Sequence, residues 1–163
     1  MLTALLAACQ PALNWREVRP AQSGAVALFP CKPDVEQRGA QAGQGAMGLA
    51  QCETAGLRVA LSWAEVPDAS QAGAALKAMS ASLATKLSQP LPPVQPLQVP
   101  GMTPLPETAQ YRLAGKGGVT HLAVFAHGGH VYQALMSADK DDAAAWENFV
   151  GSLRVGASAK PGG

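Results

Sequence analysis

Hydrophobic positions alternate most cleanly between residues 57 and 66. Leu57, Val59, Leu61 and Trp63 fall on one side of an extended chain, with Arg58, Ala60, Ser62 and Ala64 on the other. The second set is small rather than strongly polar, so the pattern predicts a strand in a sheet covered on both faces. The spacing then changes to that of a helix. Ala72, Leu76, Met79, Leu83 and Leu87 form one stripe over residues 67–87, with Lys77, Ser80 and Thr85 opposite. Asp68 or Ser70 is the expected N-cap.

Shorter strands are expected at 14–18, 25–29 and 46–54. Between the last two, residues 35–45 are polar and glycine-rich and read as a mobile loop. Residues 90–106 hold seven of the thirteen prolines and must run extended, as a stiff crossover from helix to sheet. Pro93-Val94-Gln95-Pro96 within it matches a PxxP ligand only formally. Three strands in meander follow at 108–114, 119–126 and 131–138, with turns at Gly115–Gly118 and Gly128-Gly129. Asp139 or Asp141 should cap a last helix, whose Trp146, Phe149, Val150 and Leu153 face the core. Gly156 ends it.

These elements predict an α+β domain over residues 14–156: a mainly antiparallel sheet of about six to seven strands with helices on both faces. Residues 157–163 read as a disordered tail. A chain of 163 residues with 48% apolar residues can build one core without a metal. The net charge is +1 and the twelve basic residues are scattered, so no stripe suits a nucleic-acid backbone. No apolar run approaches the roughly 18 residues that span a bilayer.

The first residues change the picture. Leu5-Leu6-Ala7-Ala8-Cys9 resembles a bacterial lipobox, although no Lys or Arg precedes the apolar run. The resemblance implies that 1–8 is a signal-peptide remnant, that Cys9 is lipidated and that 9–13 is a tether. Lipid chains then supply the membrane link, at about 0.8 kcal/mol per buried CH₂. Gln10 after the cysteine implies, by the same resemblance, the periplasmic face of an outer membrane. That leaves Cys31 and Cys52, an even remainder that in an oxidising compartment points to a disulfide. Two buried free thiols are the alternative. The spacing fits neither a zinc site nor a Cys-x-x-Cys redox pair.

Candidate chemistry centres on the histidines. A two-residue Gly128-Gly129 turn makes His127 and His130 a facing cross-strand pair, able in principle to share a metal ion. His121 is about 20 Å from His127 along an extended strand and cannot complete such a site. Asp139 or Glu107 could approach only through the fold. A solvated turn is the competing reading, and no cofactor is assigned. Gly115–Thr120 lacks the Gly-Lys-Ser/Thr and helix of a phosphate loop. His127-Gly128-Gly129 has no Gly-x-Ser-x-Gly partner for acyl chemistry.

The chain also resembles bacterial PsbP-like domains, through Phe29-Pro30-Cys31-Lys32-Pro33, a middle helix, the meander and a terminal Phe149-Val150-Gly151-Ser152-Leu153-Arg154. Relatives commonly carry glycine where Cys31 stands. The resemblance implies an antiparallel sheet between helices and an accessory or binding role, with no catalytic residues to carry over. The expectation is a non-catalytic, lipid-anchored envelope protein with a protein partner. A small enzyme or metal-handling protein using His127 and His130, or an unanchored soluble protein, are the alternatives.

Overall fold

The computed structural model describes residues 13–161. Cys9 and the rest of the lipobox segment lie outside the described residues. Over the described residues the fold is α+β, with one six-stranded and one three-stranded antiparallel sheet and two α-helices.

The large sheet begins with β3 (Asp34–Arg38), β4 (Met47–Thr54) and β5 (Leu57–Glu65), after β1 (Arg16–Val18) and β2 (Ala25–Phe29). Helix α1 (Ala72–Lys86) and the proline-rich crossover follow. Then come β6 (Ala109–Gly115), β7 (Gly118–His127), β8 (His130–Ala138), α2 (Ala143–Ser152) and β9 (Arg154–Val155). The large sheet runs β3-β4-β5-β8-β7-β6, and the small one runs β1-β2-β9. The strands expected at 14–18 and 25–29 therefore build a separate layer, not part of one sheet.

Register sorts the side chains onto two faces, because paired residues share a face. Leu61 opposes Ala134, and Phe125 opposes Tyr132. These residues, with Val59, Trp63 and Met136, pack against α2 and the small sheet through Phe29, Trp146, Phe149 and Leu153. The other face carries Tyr111, Leu113, Leu122, Val124 and Val131, packed against Ala72, Leu76 and Leu83 of α1.

Several expectations are corrected. Residues 35–45 are not a loop throughout, since Asp34–Arg38 pairs with Met47–Gln51. All five residues of β3 are exposed, so an edge strand wetted on both faces shows no apolar alternation. Ser80, expected on the polar side of α1, is buried, because a small side chain fits between helix and sheet. Asp68 does cap, accepting from the Ser70 amide at 2.9 Å, but at a 3-10 turn (Ala69–Gln71) that leads into α1. Asp142 caps α2 through the Ala145 amide, in place of Asp139 or Asp141. Residues 156–159 form a 3-10 turn with Ala159 buried, where a disordered tail was expected.

Cys31 and Cys52 are joined by a disulfide, with Cα atoms 6.0 Å apart. Cys31 follows β2 and Cys52 lies in β4, so the bridge ties the small layer to the outer part of the large sheet.

Candidate functional site

Two of the concavities among the described residues bring candidate side chains together. The first is a cleft of about 670 Å³ at the end of the sheet where β7 turns into β8. It is lined by Arg19, Gly24, His127, His130, Tyr132, Gly156 and Lys160, among others. The register places His127 opposite His130, and His130 opposite Glu65 of β5.

The side chains of His127, His130, Arg19 and Tyr132 in this cleft already have partners within the fold. His127 Nδ1 lies 2.6 Å from the Gly101 carbonyl. A carbonyl only accepts, so Nδ1 donates and the ring is held against the crossover. The other ring edge lies on Gly156, where a Cβ would come within 2.5 Å of Nε2. His130 Nε2 stands 3.7 Å from Glu65, the carboxylate that approaches this pair in place of Asp139 or Glu107. Glu65 also accepts from the Ala46 amide at 3.1 Å. Arg19 donates to the Ala159 carbonyl and pairs with Glu17 at 2.7 Å. The Tyr132 hydroxyl donates to the Ser23 carbonyl at 2.6 Å, and burial pushes its pKa up to about 12. Among the described residues no three His, Cys, Asp or Glu side chains form a group able to hold a metal ion.

His121 belongs to a different assembly. Its Nε2 is 2.7 Å from Asp141, which also accepts from Arg112 Nε at 2.7 Å. The ring stacks on Trp146 at 5.1 Å between centroids. Hydrogen bonds from His121 and then Arg112 hold the Asp141 carboxyl below the usual carboxylate range. This network pins the loop before α2 to the sheet. Nothing in local spacing announced it, because its three members lie on three separate elements.

The second concavity is a groove of about 510 Å³. Helix α1 packs on β7 and β8 and leaves the β3-β4-β5 half of its own face uncovered. Met47 and Leu49 of β4 and Ser62 and Ala64 of β5 make the floor. Met79 of α1 walls one side, and Glu36 and Arg38 of β3 the other. Ser62 and Ala64, half of the β5 set that predicts a covered face, line this opening. Gly48 is needed below it, because a Cβ there would sit 2.1 Å from the Trp63 ring that crosses the opposite side of the sheet. Met47 remains 40% exposed. The Arg38 guanidinium contacts Gln44 Oε1 at 3.3 Å and Met47 Sδ at 2.9 Å, and among the described residues it forms no ion pair. The groove is therefore apolar along most of its floor, with the opposite charges of Arg38 and Glu36 on its β3 wall, a mostly apolar lining with a few polar groups of the kind ligand pockets have. No residue of the crossover lines it.

No family model matches this chain. No curated protein sequence matches it either. Among solved structures, one from Bacteroides thetaiotaomicron aligns with a TM-score of 0.43 and 10% identity. The alignment covers 84% of this chain and 47% of the other, so the chain spans about half of that neighbour's length.

Proposed function

We propose that the protein is a non-catalytic binding or accessory module of the bacterial cell envelope, of PsbP-like type, anchored by lipid at Cys9. The observation that carries this reading is the Cys31–Cys52 disulfide. Structural disulfides persist in oxidising compartments and are rare in the reducing cytosol, which matches the compartment implied by the lipobox. The groove beside α1 supplies the module with a surface to bind through, and its lining offers no nucleophile paired with a base.

Detergent phase partitioning in the native bacterium tests the anchor. Wild type should enter the detergent phase and Cys9→Ala should stay aqueous. Wild type and variant both remaining aqueous would sink the anchored reading, and with it the outer-membrane assignment. Alkylation of unreduced extracts with a mass-tagged maleimide tests the compartment. Cys31 and Cys52 should be protected until a reductant is added.

A further inference from the structure

We infer that the groove between α1 and β3 binds a single-chain anionic amphiphile, its apolar chain along β4 and β5 and its acidic head at Arg38. The inference rests on the binding-module reading and names the ligand class. It does not depend on the anchor.

The lining chooses the chain. Leu49, Ala64, Met47 and Met79 present hydrocarbon and thioether surface, and Ser62 adds one small hydroxyl to the floor. Methionine side chains are unbranched and polarizable, so they follow a flexible chain at little cost. A volume of about 510 Å³ is within the range of small-molecule pockets.

The rim chooses the head. Arg38 is exposed, planar and always charged, and its present partners are a neutral amide oxygen and a thioether sulfur. A carboxylate or phosphate monoester would replace both with charge-assisted hydrogen bonds. Glu36 is the opposing charge, two residues away on the same face of β3, and it lies beyond ion-pair distance of Arg38. It weakens an anion's hold and should report on the sign of the ligand.

Calorimetric titration of the full chain with dodecanoate, kept below its micelle concentration, tests the inference beside uncharged monododecanoylglycerol. Both should bind one saturable site. Arg38→Gln should weaken dodecanoate about tenfold and leave the uncharged ligand within twofold. Glu36→Gln should tighten dodecanoate a few-fold and again spare the uncharged ligand. Ser62→Phe should abolish binding of both by filling the floor, with Met79→Gln as a milder second block if Ser62→Phe does not fold. The inference is overturned by the absence of a saturable site, by equal affinities in wild type and Arg38→Gln, or by a concentration-dependent dimer whose formation excludes dodecanoate. A Cys9→Ala protein that stays aqueous like wild type would remove the anchor and leave this titration untouched.

Discussion

The two faces of the large sheet are built to different ends. One is closed across its central strands: α2 and the small sheet lie on it, and Phe29, Phe125, Tyr132, Phe149 and Leu61 are sealed within. The other is closed only over β6, β7 and β8, where the 15-residue helix α1, with Leu91 and Leu105 of the crossover, packs with Tyr111, Leu122 and Val124. Over β3, β4 and β5 it stays open. The closed face spends its large side chains on packing against each other. The half-open face has small residues at its centre and methionines at its margins, a composition that packs poorly alone and receives a ligand well. Stability should therefore be concentrated on one face and binding on the other.

Substitution on the closed face should be the costliest. Phe149 is fully buried and meets Phe29 at 5.3 Å and Trp146 at 6.1 Å between ring centroids. Phe149→Ala should lose about 3–5 kcal/mol in urea unfolding, the ordinary cost of emptying an aromatic site. A loss under about 1 kcal/mol would mean that the two faces do not differ as described.

The disulfide comes next. It closes a loop of 21-residue separation, for which the chain-entropy relation gives about 3 kcal/mol. The Cys31→Ser, Cys52→Ser double variant should lose roughly that amount by chemical denaturation. Wild type in dithiothreitol should fall to the same value. Amide exchange should show the opening centred on β3 and β4, since those strands follow the tether.

Asp141 should matter less, and in a pH-dependent way. Its folded carboxyl titrates below its unfolded value, which is near 3.9. Its contribution is thus complete above about pH 5 and is lost as pH falls through the folded value. Asp141→Asn should cost on the order of 1–2 kcal/mol at pH 7, as expected for hydrogen bonds to a charged group. The gap between variant and wild type should close in melts taken toward pH 2. An equal gap at both pH values would mean that His121 and Arg112 are not what Asp141 stabilises.

On the open face, Leu49→Ser should change stability by less than about 1 kcal/mol. It should nonetheless weaken dodecanoate binding severalfold. That opposite ranking of the two effects, compared with Phe149→Ala, is the sharpest statement of the difference between the faces.

Much of the sheet was legible because its signals are local. The period-two run at Leu57–Glu65, the meander around two glycine turns and the stripe from Ala72 to Leu83 each declare themselves within a few residues. The edge strand β3 was not legible, because a strand exposed on both faces carries no hydrophobic code. The capping role of Asp142 was missed in favour of Asp139 or Asp141, since three aspartates stand within four residues and only the fold gives Asp141 to His121. The histidine pair was predicted in its true register, as the Gly128-Gly129 turn requires. What surrounds it was not, because Gly101, Gly156 and Glu65 arrive from other elements.

By itself, then, the sequence determined the α+β class, the meander, the main helix stripe and the two cysteines available to pair, all consequences of short-range periodicity and residue chemistry. Tertiary structure alone decided which strands share a sheet, that Ser62 and Ala64 line an opening, and that Arg38 stands at its rim. Those depend on how far one helix reaches across six strands, and no spacing along the chain encodes that distance.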